Sequence, residues 1–162
     1  MAAFLFDLDG TLVDTSAIME LRSRRKWKEC VANLRHTTLF AGVPELLATI
    51  KAQGGKVAVV TTSVSYYAER ALRHHGIQVD ALVAYHDVPR TKPAPDGYLK
   101  ALRQLGNEAS DAYGIGDDAV DAHALGAAQI VSIGAGWNPD FHSAAPWDHV
   151  ALTPAGVLKI NV

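Results

Sequence analysis

The sequence predicts an α/β domain with a central parallel sheet. Short β-type runs alternate with helical patterns along the chain, as repeated βαβ units require. The run at residues 56–61 is almost wholly apolar, as a strand covered on both faces must be. Glycines stand behind the helical stretches, where a left-handed residue ends a helix at no steric cost.

Taken in order, residues 3–8 form the first strand, an apolar run broken only by Asp7. The helix at 44–53 opens on Pro44, whose fixed φ suits a first turn, and stops at Gly54 and Gly55. Strand 56–61 leads to helix 65–75 and Gly76; strand 82–85 leads to helix 96–105 and Gly106. Strand 112–115 is followed by helix 118–125, with Gly126 behind it, and then by strand 129–133. A short edge strand at 150–152 and a helix at 154–160, opened by Pro154, complete the alternation.

One stretch departs from it. A single crossover helix would join the first two strands, yet residues 14–40 are left over. The expected organisation is a core of residues 1–13 and 41–162 with a short helical insert at 14–40. Residues 17–36 hold six basic side chains (Arg22, Arg24, Arg25, Lys26, Lys28 and Arg35) against two acidic ones, Glu20 and Glu29. That is a local charge of +4, whereas the rest of the chain, nine basic against fifteen acidic residues, nets −6. Trp27, Cys30, Val31 and Leu34 share one helical face, and Ile18 and Leu21 fall nearly opposite. Either the helix breaks near Ser23 or it is gripped from two sides.

Composition narrows the function classes. A chain of 162 residues, 49% apolar and 20% charged, buries a single core without a disulfide or metal staple. The one cysteine, Cys30, permits neither an internal disulfide nor a zinc cluster, which fits a reducing compartment. A net charge of −2 gives no overall basic character for nucleic acid or an anionic membrane. No signal-peptide pattern opens the chain, and no window approaches the roughly 20 apolar residues of a membrane helix. The expectation is a cytoplasmic protein.

Four clusters of chemistry-bearing residues fall at the carboxyl ends of four strands, where open α/β sheets place their ligands. Asp7 and Asp9 flank Leu8 and so point to one side of the first strand. One carboxylate can attack phosphorus while its neighbour handles a proton, and Gly10 permits a tight turn beside them. Two solvated aspartates would explain the same letters. Thr61, Thr62 and Ser63 end the second strand just before a helix, where hydroxyls and free N–H groups suit an anion or simply cap the helix. In the segment TKPAP, the prolines stiffen the approach to Lys92, a fixed charge for a phosphate or an ordinary surface lysine. Asp117, Asp118 and Asp121 crowd three carboxylates into five residues at a strand-to-helix junction. Such hard oxygen donors repel one another without a cation and suit Mg²⁺, although the helix macrodipole accounts for one or two of them.

Together FDLDGTLVDT, VVTTS, TKPAPDGYLKAL and GIGDDAVDAHALGA resemble, in order and spacing, the four motifs of the haloacid dehalogenase-like hydrolase superfamily. The resemblance spans nearly the whole chain apart from the insert and the C-terminal stretch. It implies a Rossmann-like three-layer αβα sandwich with a small helical cap, inserted as in the phosphoglycolate-phosphatase-like branch. By that resemblance Asp7 is the nucleophile that forms an aspartyl-phosphate, and Asp9 the general acid and then the base. Thr61 bonds the transferring phosphoryl group, Lys92 neutralises it, and Gly10 and Thr62 complete the phosphate-binding turns. Mg²⁺ is held by Asp7, the Asp9 carbonyl and Asp117, with Asp121 in support and Asp118 as a secondary ligand. Thr62 stands where many relatives have Asn, and Asp118 where many have Ser.

A phosphatase follows best from these implied roles. Dehalogenation would leave the Asp9 proton superfluous, and nothing singles out Lys26 or Lys28 for a Schiff base. A phosphomutase must exclude water, which a lid this short does poorly. The expected substrate is a small phosphorylated metabolite. An open site leaves a nucleic-acid end or a phosphoprotein as the alternative, and a non-catalytic phosphate-binding module as the rival outside enzymes. No membrane partner is expected.

Overall fold

The computed structural model describes residues 1–160. β1 (Ala3–Phe6) is followed by a two-residue strand, β2 (Val13–Asp14), and by two short helices, α1 (Met19–Ser23) and α2 (Trp27–Ala32). β3 (Thr38–Leu39) then pairs antiparallel with β2, Val13 opposite Leu39 and Asp14 opposite Thr38. The insert therefore leaves and rejoins the chain at one narrow neck. Next come α3 (Val43–Ala52), β4 (Lys56–Val60), α4 (Ser65–His74), β5 (Ala81–Val83) and α5 (Asp96–Leu105). β6 (Ala112–Gly116), α6 (Ala119–Ala127), β7 (Val131–Ala135) and β8 (His149–Ala151) complete the order.

Six strands make one sheet in the order β5-β4-β1-β6-β7-β8, every neighbouring pair parallel. This is the parallel α/β sheet that the alternating pattern predicts, in the Rossmann-like sandwich that the family resemblance implies. Successive side chains of a strand face opposite sides, and the core divides accordingly. Phe4, Phe6, Val57 and Val59 pack against Leu46 and Ile50 of α3 and Tyr67 and Leu72 of α4. Ala3, Leu5, Ala58 and Val60 pack against Tyr98 and Leu102 of α5 and Leu125 of α6. The chain winds from β1 outward through β4 and β5, then crosses back to β6 and runs the other way. The crevice this leaves at the carboxyl ends of β4, β1 and β6 is where such sheets bind ligands.

The insert is anchored in the first of these two cores through Ile18, Cys30 and Leu34. The Trp27 ring lies 5.5 Å from that of Tyr67 in α4. The break falls where the two opposed apolar faces demand it: α1 ends at Ser23, and Arg25, with φ of 56°, turns the chain into α2.

Several boundaries differ from the sequence expectation. α6 runs through Gly126, and Gln129, with φ of 57°, takes the left-handed place behind the helix, so β7 begins at Val131 instead of 129. Asp118 stands outside α6 as its N-cap. Residues 85–87 wind into a 3₁₀ turn and shorten β5. The C-terminal helix is a 3₁₀ segment, Pro154–Lys159, capped by Thr153. No helix among the described residues is long and apolar enough to cross a membrane.

Candidate active site

The carboxyl ends of β1, β4 and β6, together with the loop before α5, converge on a cavity of about 560 Å³. All nine site residues expected from the sequence line it: Asp7, Asp9, Gly10, Thr61, Thr62, Lys92, Asp117, Asp118 and Asp121. The insert adds Met19 and Arg22 to its wall.

The turn after β1 closes through the Leu8 carbonyl, which accepts the N–H groups of Leu12 and Val13. Gly10 sits in this turn with φ of 80°, and a Cβ there would collide with the Asp117 carboxylate. Only glycine lets the end of β6 approach β1 so closely. Thr11 donates its hydroxyl to Asp117 Oδ1 at 3.2 Å and is itself fully buried.

Asp7, Asp117 and Asp121 each place a carboxylate oxygen within 4.8 Å of the others. Lys92 Nζ lies 3.1 Å from Asp7 Oδ1 and 2.6 Å from Asp121 Oδ1, its side chain only 3% exposed. The second oxygen of Asp121 accepts the N–H groups of Asp117 and Asp118, at 3.3 and 3.2 Å, which fixes this carboxylate at the mouth of α6. Burial, and then repulsion from Asp121, hold the Asp7 carboxyl well above its ordinary range despite the nearby lysine. Burial also raises Asp117. For Lys92 burial works against the charge, but Asp121 and Asp7 overcome it and hold the ammonium well above the usual lysine range. One lysine leaves three carboxylates undercompensated. An all-oxygen, negatively charged donor set of this kind fits a hard divalent cation, and these three residues could hold one.

Asp9 has different company. Its Oδ1 accepts the Tyr67 hydroxyl at 2.6 Å and lies 3.3 Å from Arg22 Nε, and its Oδ2 accepts the Ser63 hydroxyl at 3.2 Å. Tyr67 is fully buried, and burial, reinforced by the Asp9 carboxylate, pushes its phenol far above the ordinary value, so it remains a donor. Asp9 is thus held by α4 and the insert, Asp7 by the lysine loop.

Thr61 Oγ1 accepts the Ser63 N–H at 3.0 Å, leaving its own proton available to the cavity. Thr62 is exposed on the cavity wall. Neither Thr62 nor Ser63 caps α4, whose N-cap is Val64, so the capping explanation of those hydroxyls does not apply. Asp118 accepts the Val120 N–H at 3.2 Å and faces His142 Nδ1 at 3.7 Å. Its N-cap conformation folds the side chain back onto the first turn of α6, outside the carboxylate trio.

Tyr67 and Tyr98, whose hydroxyl lies 3.4 Å from Asp121 Oδ1, were not legible as site residues in the sequence, and Arg22 stood out there only as one of the insert's six basic residues. Ser63 and Tyr67 do sit four apart at the start of a helix, the one local signal that both face Asp9. The loop after β7 carries no such signal. There Asn138 Nδ2 donates to the Gly10 carbonyl at 2.8 Å and Trp137 Nε1 to the Thr11 carbonyl at 2.9 Å, pinning the β1 turn from across the sheet.

A sequence profile of haloacid dehalogenase-like hydrolases matches residues 19–135, well over half of the chain. The chain belongs to the haloacid dehalogenase-like hydrolase family. The matched stretch contains Thr61, Lys92, Asp117 and Asp121 and begins after Asp7 and Asp9. This haloacid dehalogenase-like hydrolase is 25% identical to the pyrophosphatase PpaX of Bacillus velezensis over an alignment of 181 positions, gaps included, that covers 85% of this chain and 84% of that protein. It is 32% identical to the phosphoglycolate phosphatase of Nitrosococcus oceani over 108 residues, 64% of this chain and 48% of that protein. CbbY of Rhodobacter sphaeroides, solved in complex with phosphate, superposes with a TM-score of 0.81 at 22% identity over 96% of each chain, a likeness of fold.

Proposed function

We propose that this hydrolase is a Mg²⁺-dependent phosphatase that cleaves a phosphate monoester through an aspartyl-phosphate on Asp7. The observation that carries the reading is the buried lysine shared between Asp7 and Asp121 beside a third carboxylate, Asp117. Phosphoryl transfer asks for in-line geometry and for charge neutralisation on the phosphoryl oxygens, and little else. Mg²⁺ bound by Asp7, Asp117 and the Asp9 carbonyl, with Asp121 in support, would supply part of that neutralisation. Lys92 supplies the rest as a fixed ammonium, and the Thr61 hydroxyl donates to a phosphoryl oxygen.

A carboxylate oxygen of Asp7 forms a bond to phosphorus as the bond to the leaving oxygen breaks. Asp9 gives that oxygen its proton. Asp9, now a carboxylate, then takes a proton from water, whose oxygen attacks phosphorus and breaks the bond to Asp7. Inorganic phosphate leaves and both aspartates are restored. Asp7 and Asp9 stand two residues apart yet are held by different partners, Asp7 by Lys92 and Asp9 by Tyr67, Ser63 and Arg22, so each is free to take its own step. A small phosphorylated metabolite is the substrate class we favour, and the buried thiol of Cys30 suits a cytoplasmic setting.

The test is phosphate release from a panel of monoesters with and without Mg²⁺, run beside Asp7→Asn. Wild type should turn over only with the metal. Asp7→Asn should keep its melting temperature and lose activity by about 10³-fold or more, because an amide is no nucleophile toward phosphorus. Hydrolysis by folded Asp7→Asn at near-wild-type rates overturns the mechanism.

A further inference from the structure

Beside the catalytic cavity a second recess of about 330 Å³ opens between the insert and the β4–α4 turn, sharing Met19, Arg22 and Thr62 with the first. Its lining is chemically one-sided. Arg22 and Arg25 contribute two guanidinium groups, serine and threonine side chains contribute three hydroxyls, Trp27 and Tyr85 contribute rings, and no carboxylate is present. The catalytic cavity is the reverse, with seven aspartates against Lys92, Arg22 and His142. An anionic tail on the substrate is repelled by those carboxylates everywhere except toward the recess.

We infer that the substrate's leaving group carries a second anionic group, a carboxylate or a further phosphate, received by Arg22 and Arg25 in this recess. The inference presupposes the phosphatase reading above and names its substrate class.

The insert's charge is sorted in support of it. Arg24 pairs with Glu20 at 3.7 Å and Lys26 with Glu29 at 3.9 Å, both pairs well exposed and neither lining a cavity. Arg22 and Arg25 are the basic residues of the insert that do line one. Arg25 gets there by a left-handed backbone, φ of 56°, a conformation that non-glycine residues avoid. From it the guanidinium stacks over the Tyr85 ring at 4.6 Å, across the recess from the insert. A guanidinium held by its face keeps its N–H edge free for a carboxylate or phosphate. Arg22 is anchored from below, Nη1 donating to Thr15 Oγ1 at 3.2 Å and Nε paired with Asp9 at 3.3 Å. The recess is of small-molecule size.

The experiment uses pairs of phosphate monoesters whose leaving groups, two to five carbons long, end either in a hydroxyl or in a carboxylate or phosphate. For wild type, kcat/KM should favour the anionic member by about tenfold or more at the best length, as charge-assisted hydrogen bonds imply. Arg25→Gln should cut that preference by about fivefold or more, through KM; Arg22→Gln, which also removes a partner of Asp9, should cut it as far while lowering kcat on both members of a pair. Arg24→Gln/Lys26→Gln should leave the preference within about twofold, since screened surface charges contribute little. A preference for the neutral member at every length overturns the inference. So does a preference that falls equally in all the variants, or a 3′-phosphorylated oligonucleotide or phosphopeptide that outperforms every small ester. Absence of Mg²⁺-dependent hydrolysis from all substrates, p-nitrophenyl phosphate included, would instead sink the phosphatase reading on which it stands.

Discussion

Asp7 and Asp9 leave β1 two residues apart, and the protein gives each a separate set of neighbours. Asp7 faces a lysine and two further carboxylates, Asp9 a phenol, a hydroxyl and a guanidinium. If Asp9 protonates the leaving oxygen, the Tyr67 hydroxyl is what aims it. Tyr67→Phe removes one buried hydrogen bond and keeps the packing under Trp27, so the fold should survive. We expect kcat/KM for an alkyl phosphate, whose leaving alkoxide needs the proton, to fall about tenfold. For p-nitrophenyl phosphate, whose leaving group departs without help, the fall should stay within about twofold. Equal losses on both esters would reduce Tyr67 to a packing residue. The neighbouring acids at β6 separate in the same spirit. Asp117→Ala should raise the Mg²⁺ concentration for half-maximal activity by about tenfold, removing one of three anionic ligands. Asp118→Ala should leave that concentration nearly unchanged and lower stability by about 1 kcal/mol, the usual loss of an N-cap. Metal titrations and denaturant melts of the two variants decide it.

At the scale of elements, α4 is the hinge between chemistry and insert. Its first turn presents Tyr67 to Asp9, its flank packs under Trp27, and its far end reaches the return limb of the insert. There Thr37 donates its hydroxyl to the Leu34 carbonyl at 2.6 Å, so the 2.8 Å contact with His75 Nε2 has the histidine as donor. Burial, and then the adjacent His74, lower the His75 pKa from its ordinary 6.5. The folded state therefore prefers the neutral ring. Its contribution is complete above pH 6.5 and is lost as the pH falls below that value toward the lowered pKa of the folded state. Unfolding free energy measured between pH 7.5 and 5 should decline with acid, and His75→Gln should flatten that slope. An unchanged slope in the variant would assign the acid sensitivity elsewhere. The elements themselves were largely legible from apolar period and punctuation, because Gly54, Gly76 and Gly106 do adopt positive φ behind α3, α4 and α5. The exception is instructive. Gly126 looked like a terminator, yet the packing of Leu125 and Ala128 carries the helix past it and hands the left-handed position to Gln129. Tertiary burial outweighs a local preference of about 1 kcal/mol for glycine there.

For the molecule as a whole, the carboxylates of Asp7, Asp117 and Asp121 sit at the end of a sheet that is buried on both faces, and their mutual repulsion is a standing cost to the fold. A cation that binds only the folded trio relieves it. Added Mg²⁺ should raise the melting temperature of wild type by a few degrees, in proportion to the logarithm of its concentration, and should do little for Asp117→Ala. Equal shifts in both proteins would mean the ion binds elsewhere. The sequence made this trio visible because Asp7 follows directly on the first strand and Asp117 and Asp121 crowd a strand-to-helix junction, where local spacing sets position. It could not show that Asn138 and Trp137 pin the β1 turn, since contacts across 128 and 126 residues leave no local trace. Nor could it show the two-residue ribbon of β2 and β3, too short to register as a pattern. That ribbon has a consequence for descent as well as for folding. Because the chain departs at Asp14 and returns beside it at Thr38, everything between them hangs from a single fixed doorway. Doubling a loop closed at such a doorway costs only about 0.6 kcal/mol, so the segment beyond it can lengthen or shorten while the sheet keeps its order. What cannot change freely is Arg22, because the same segment that can vary in length also carries a partner of Asp9.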